Sequence, residues 1–234
     1  MKLNTKIFAD GADLNSIREL NNNPIIKGFT TNPSLMKKAG VENYEIFAKE
    51  ALEIIDNKPI SFEVFSDDID EMYEQALKIA SWGKNIYVKI PVVNSKGVFT
   101  GPVIEELSKK GIKLNITAVY TFKQTKKIYK ILNKKTKSII SIFAGRMADK
   151  GIDPLPEFKK SIKLAKNYNN VKILWASTRE PYNFLQAKQI NCHLITIPPS
   201  MIEKIENFGI SKKKLSISTV KSFLSDSKKS KFKL

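Results

Sequence analysis

Eight short runs rich in Ile, Val and Phe recur along the chain, each separated from the next by a longer segment. No other feature limits the fold as much. The runs are Lys6–Asp10, Ile26–Asn32, Ile60–Phe65, Ile86–Val92, Lys113–Tyr120, Ser138–Arg146, Lys172–Ser177 and His193–Pro198. Their β-branched content and length predict strands. The segments between them carry apolar residues at helical spacing; Tyr44–Ile55, for example, groups Ile46, Phe47, Ala51, Leu52, Ile54 and Ile55. Asp67–Trp82, Pro102–Lys109, Phe122–Leu132, Pro154–Tyr168 and Pro181–Gln189 read the same way. Asp153 before Pro154 and the acidic turn opening at Asp67 are helix starts. Successive runs begin roughly 20 to 35 residues apart, which suits parallel strands joined by helices. Eight such units in 234 residues predict an α/β fold, a single-domain (β/α)8 barrel. An open doubly wound sheet would want a glycine-rich loop after the first run, and Asp10-Gly11-Ala12-Asp13 is not one. The barrel is expected over residues 1–225, with a short helix near Ser218–Leu224, and residues 226–234 as a basic, frayed tail.

Composition narrows the class. With 42% hydrophobic residues the chain can fill a core, and its 27% charged residues are interleaved with Ile, Leu and Val, which excludes disorder as the main state. The single cysteine, Cys192, excludes a disulfide scaffold and suits a reducing compartment. No apolar run approaches the roughly 18 residues of a membrane helix, and no apolar signal core precedes Asp10. A cytoplasmic protein without a membrane partner is expected. One Cys and one His, His193, offer no zinc constellation, so no metal is expected, and a lone histidine at a strand start reads as structural.

The net charge of +17 is unevenly distributed. Residues 1–120 hold 15 Lys+Arg and 16 Asp+Glu, whereas residues 121–234 hold 25 and 7. Of the 40 cations 37 are lysine, a bias more typical of an AT-rich genome than of a binding surface. The basic residues have few aromatics among them and no recognition motif, so nucleic acid is not an expected partner. Against that background the three arginines are informative, because a guanidinium is a rigid two-pronged fork. Arg18 lies in the first helical segment, whereas Arg146 and Arg179 follow the sixth and seventh runs.

Barrel sites form at the carboxyl ends of strands, where packing alone would select Val or Ile. Lys89 stands in the middle of Ile86-Tyr-Val-Lys-Ile-Pro-Val92, grouped by two-residue alternation with Tyr87 and Pro91. The other runs carry Asp10, Asn32, Glu63, Asn115 with Thr117, Ser141, and Ser177 at or near their ends. Together they predict a polar pocket around Lys89. Burial favours an unprotonated amine, which can attack a carbonyl and form a Schiff base, with Asp10 and Glu63 as candidates for proton transfer. Gly145-Arg146 and Ser177-Thr178-Arg179, on neighbouring loops near a helix start, suit a phosphate.

Along nearly its whole length the chain resembles the transaldolase family, class I aldolases on a (β/α)8 barrel. The landmarks are Phe8-Ala-Asp10, Gly28-Phe-Thr-Thr-Asn-Pro-Ser34, Val88-Lys-Ile-Pro91, Gly111-Ile-Lys-Leu-Asn-Ile-Thr117, Ser141-Ile-Phe-Ala-Gly-Arg146 and Ala176-Ser-Thr-Arg179. The resemblance implies that Lys89 forms the Schiff base and Asp10 takes a proton from the C4 hydroxyl, while Glu63 and Thr117 hold a catalytic water. It gives Asn32, Asn115 and Ser141 the dihydroxyacetone unit, and Arg146, Ser177 and Arg179 the phosphate. The substrates would be sugar phosphates of carbohydrate metabolism, such as those of the pentose phosphate pathway, with no cofactor. The related fructose 6-phosphate aldolase branch, which releases free dihydroxyacetone, typically has tyrosine at the position of Phe143 and glutamine at that of Glu63, so both residues favour transfer. Ala144, where many relatives have valine, and the bulky Trp175 are expected to influence acceptor size. Small relatives form pentamers or decamers through a carboxyl-terminal helix and longer ones form dimers, so a homo-oligomer is expected.

Overall fold

The apolar runs become strands buried on both faces, because one face fills a barrel and the other lies under helices. A computed structural model describes residues 5–230. Its first part comprises β1 (Lys6–Asp10), α1 (Leu14–Asn21), β2 (Ile26–Thr30), α2 (Pro33–Lys38), α3 (Tyr44–Ile55), β3 (Ile60–Glu63), α4 (Ile69–Ser81), β4 (Ile86–Pro91), α5 (Gly101–Lys109), β5 (Leu114–Val119) and α6 (Phe122–Ile131). The second comprises β6 (Ser138–Phe143), α7 (Ala144–Ala148), α8 (Leu155–Ala165), β7 (Val171–Ala176), α9 (Tyr182–Gln189), β8 (Leu194–Ile197), α10 (Pro199–Glu206) and α11 (Lys212–Ser230). Neighbouring strands are parallel, and β8 pairs back onto β1 through Lys6↔Leu194 and Phe8↔Thr196, closing an eight-stranded barrel. The fold is the expected single-domain (β/α)8 barrel.

The closed sheet has two apolar layers. Phe8, Ile139, Leu174, Ala176 and Leu194 pack inside with Tyr87 and Phe143. The larger layer, including Val88, Ile90, Ile173, Trp175 and Ile195, lies between the sheet and the helices. Gly28 lets the Phe8 ring fill the interior, since a Cβ there would come within 2.7 Å of that ring. Helix starts are fixed by side-chain caps: Asn43 accepts from the Ile46 N–H, and Thr121 forms a capping box with Gln124. Helix α4 is capped by Asp68, one residue later than expected, because Asp67 instead accepts from the Ser95 amide and hydroxyl.

Several expected boundaries move. The second run stops at Thr30, and Asn32 caps the short α2 by accepting the Leu35 N–H at 3.0 Å. The sixth run ends at Phe143, so Arg146 lies in α7. Helix α11 spans 19 residues rather than Ser218–Leu224, since no Gly or Pro interrupts Lys212–Ser230. It therefore continues through residues 226–230, where a frayed tail was expected; residues 231–234 lie outside the described residues. None of its residues is buried, and Leu215, Ile217, Val220, Phe223 and Leu224 are exposed. No helix among the described residues is long and apolar enough to cross a membrane.

Candidate active site

At the carboxyl ends of the strands a cavity of about 500 Å³ opens. Lys89 sits at its base, 7% exposed. Its Nζ lies 3.1 Å from Glu63 Oε2 and donates to the Thr31 carbonyl at 3.1 Å. Sheet register makes this contact, because Glu63 and Lys89 are directly paired on β3 and β4 and leave the same face. The Tyr44 hydroxyl donates to the Glu63 carbonyl at 3.0 Å and fixes the end of β3.

Asp10, at the end of β1, accepts from the Thr30 hydroxyl at 2.8 Å, and that hydroxyl also meets the Thr196 hydroxyl. Burial pushes the Asp10 carboxyl above its ordinary range, with the Lys89 ammonium and the Thr30 hydrogen bond acting against it. A carboxyl so placed is suited to holding and releasing a proton. Opposite lies a hydrogen-bonded chain: Ser141 Oγ donates to Asn115 Oδ1 at 2.6 Å, and Asn115 Nδ2 donates to Ser61 Oγ at 2.9 Å. Asn115 is fully buried and adjoins Lys89 in register across β4 and β5. Two residues further, the Thr117 hydroxyl is buried without a protein partner. An orphan hydroxyl of this kind costs about 1–3 kcal/mol unless water or substrate completes it.

The cationic side is built from two loops. Arg146 holds its guanidinium 5.7 Å from the centroid of the Phe143 ring, and Tyr120 packs on that ring at 5.9 Å. Ser177 follows β7 with φ 62°, a left-handed conformation that costs a non-glycine residue about 1–3 kcal/mol. The turn brings its carbonyl against Gly145, where a Cβ would stand 1.7 Å from Ser177 O and 2.7 Å from Arg179 Cγ. Only glycine allows the two loops this approach. Arg179 grips Asp149 with two prongs, Nε at 2.9 Å and Nη2 at 2.7 Å from Oδ2. This contact holds the Asp149 carboxyl below its ordinary range and raises the guanidinium above its own.

All eleven residues singled out in the sequence line this one cavity: Lys89, Asp10, Glu63, Thr117, Asn32, Asn115, Ser141, Phe143, Arg146, Ser177 and Arg179. Sequence reasoning missed Ser61, Thr196, Tyr120 and Asp149. The first two carry a usable signal, lying two residues from Glu63 and Leu194 on the inward side. Two expectations are corrected. Trp175 is 1% exposed and stacks on Phe158 of α8, and Ala144 is buried under the helices, so neither shapes the cavity. A groove of about 580 Å³ between α4 and α5 is lined by Asp70, Glu71, Glu74 and Glu106 on the outer surface, away from Lys89. Among the described residues no cluster of His, Cys, Asp or Glu is arranged to hold a metal.

Fold and cavity together define a barrel protein with a buried lysine–carboxylate pair inside its carboxyl mouth and two arginines at the rim. Residues 7–234 match the family described as transaldolase/fructose-6-phosphate aldolase. The chain is 37% identical over 194 residues to a probable transaldolase of Thermoanaerobacter sp. (strain X514), covering 82% of this chain and 85% of that protein. A probable transaldolase of Caldicellulosiruptor saccharolyticus is 32% identical over 207 residues, 88% of this chain and 91% of its own length. The chain belongs to the transaldolase/fructose-6-phosphate aldolase family. Among solved structures, KGPDC from Streptococcus mutans shares the fold at a TM-score of 0.57 and 9% identity, over 84% of this chain and 88% of that one.

Proposed function

We propose that this protein is a class I transaldolase, moving a dihydroxyacetone unit from a ketose phosphate such as fructose 6-phosphate or sedoheptulose 7-phosphate to an aldose phosphate. The observation that carries the reading is Lys89, buried and 3.1 Å from Glu63, in one cavity with Asp10. The Lys89 amine, once relieved of its proton, attacks the C2 carbonyl, and loss of water gives the protonated Schiff base. Glu63, with a water on the orphan Thr117 hydroxyl, relays the protons of that exchange. Asp10 takes the C4 hydroxyl proton as the C3–C4 bond breaks, and the electron pair passes into the iminium to leave an enamine on Lys89. The released aldose phosphate departs. The enamine then attacks the aldehyde carbon of the acceptor while Asp10 returns the proton to the new alkoxide. Hydrolysis releases the product and restores Lys89. Asn32, Asn115 and Ser141 hold the three-carbon hydroxyls, and Arg146, Ser177 and Arg179 the phosphate; the sequence requires neither metal nor cofactor.

Borohydride trapping with fructose 6-phosphate tests this reading. A stable three-carbon adduct on Lys89, located by peptide mass spectrometry, is expected; no adduct on the folded protein would overturn it. Fructose 6-phosphate aldolase-type cleavage, releasing free dihydroxyacetone, is a second reading, favoured by the Tyr120 phenol beside Phe143 in the cavity. Release of dihydroxyacetone at full rate without an acceptor would select it. The exposed apolar residues of α11 support a homo-oligomer, a pentamer or decamer in the small-relative pattern or else a dimer, in a cytoplasmic enzyme. Light scattering reads the assembly, and Phe223→Asp is expected to dissociate it.

A further inference from the structure

The opposite end of the barrel is basic. Each of β1 to β7 has a lysine at or within two residues of its amino end: Lys6, Lys27, Lys58, Lys84, Lys113, Lys137 and Lys172. Among the described residues none of the seven takes part in an ion pair. Asp56 and Glu206 are carboxylates on this side, but they accept from the amides of Asn57 and Asn23.

Four of these lysines converge. By two-residue alternation Lys6, Lys113, Lys137 and Lys172 share the inward side of their strands with Phe8, Asn115, Ile139 and Leu174. The Lys113 ammonium lies 5.6 Å over the Tyr87 ring, which itself packs on the interior cluster. The Lys113 stem therefore runs along the mouth, its ammonium also donating to the Lys84 carbonyl, and the stems of the other three are long enough to carry their ammonium groups to the rim. Strands β5, β6 and β7 are consecutive, and their register sets Lys113 beside Lys137, on strands roughly 5 Å apart, with Lys172 opposite Ile139, two residues further along β6. Like charges crowd here: burial and then Lys137 push the Lys113 ammonium down, and burial and then Lys27 do the same to Lys58. A multivalent anion would relieve that repulsion.

We propose that the amino-terminal mouth of the barrel is a binding site for a short polyphosphate chain, gripped by Lys6, Lys113, Lys137 and Lys172. Several separate point charges around one mouth fit linked phosphates better than a single one. Lysine supplies no planar fork for reading a base edge. Among the described residues the aromatic faces at this end are taken, since Tyr87 is covered by Lys113 and Tyr168 packs on Tyr129 at 4.5 Å. The chemistry recognised is the phosphate chain, whether inorganic or carried by a nucleotide.

Calorimetric titration of the full chain with tripolyphosphate at low ionic strength tests the site. The combined Lys113→Gln, Lys137→Gln, Lys172→Gln variant is expected to weaken binding at least tenfold and to leave the transfer activity unchanged. ATP binding no more tightly than tripolyphosphate would assign an inorganic source; tighter binding of ATP would assign a nucleotide. Undiminished binding by the variant, or binding abolished instead by Arg146→Ala, would place the anion in the catalytic mouth and overturn the proposal. Should the variant not fold, acetylation of the wild-type protein decides. Tripolyphosphate is expected to protect Lys137 and Lys172 several-fold relative to Lys49 and Lys78, and equal labelling with and without the anion overturns the site.

Discussion

Lysine occurs on the inward side of strands at both ends of this barrel, with opposite consequences. Near the carboxyl end Lys89 is buried in the middle of β4 against Glu63. At the amino end Lys6, Lys137 and Lys172 are exposed and without ion-pair partners among the described residues. Depth accounts for the difference. A buried ammonium without a partner costs several kcal/mol, so the interior position requires a carboxylate held by register. At the rim a lysine reaches water with its tip and needs none. Burial with a partner gives one amine a fixed position for chemistry, whereas exposure without partners gives several amines a shared field.

The sharpest test of that contrast is loss of the inner lysine. Lys89→Ala is expected to lower transfer roughly 10³-fold or more and to abolish borohydride trapping, while Lys137→Gln leaves both intact. Appreciable transfer by Lys89→Ala would break the comparison. A second test acts on the rim of the catalytic mouth. Gly145→Ala drives a methyl into the Ser177 carbonyl, so stability is expected to fall by about 1–3 kcal/mol. KM for phosphorylated donors should rise through displacement of Ser177 and Arg179, and an unchanged KM would detach those residues from the phosphate. In the same loops Asp149→Asn loosens Arg179, with little change in stability because the pair is exposed. Its expected signature is a KM increase confined to phosphorylated substrates, read against a non-phosphorylated acceptor.

The barrel and its mouth were legible for one reason. Two-residue alternation within eight apolar runs decides both which residues fill the interior and which polar groups point into it, and Lys89, Asn115 and Ser141 follow it directly. The same alternation, applied to β7, puts Trp175 on the side opposite Leu174 and Ala176, under α8. Its nearness in sequence to the arginine loop was misleading. Helices α2 and α7 escaped because they are set by a cap or a turn at a strand exit and are too short to show a period. Asp149 escaped for another reason. Its partner Arg179 lies 30 residues away, and only the approach of two loops at Gly145 brings them together.

The two ends also carry titrating groups that act on stability in opposite directions. Asp10, half-buried at the catalytic end, has its carboxyl raised above 3.8 in the folded state by desolvation. The folded protein therefore keeps a proton the unfolded chain has already lost, and stability declines as pH rises through that window. Asp10→Asn is expected to raise Tm at pH 7, at about 2–4 °C per kcal/mol recovered, while abolishing transfer; the gain should vanish below pH 3.8. His193, beside β8 at the amino end, accepts the Ile173 N–H on Nδ1, and burial, then Lys172, lowers it from 6.5 to about 4. Here the unfolded chain takes up a proton first, so stability is lost as pH falls from 6.5 towards 4. His193→Asn, which keeps an acceptor for that N–H, is expected to flatten this limb in a Tm–pH series and leave the Asp10 limb unchanged. A limb that persists in His193→Asn would assign the acid sensitivity to another group.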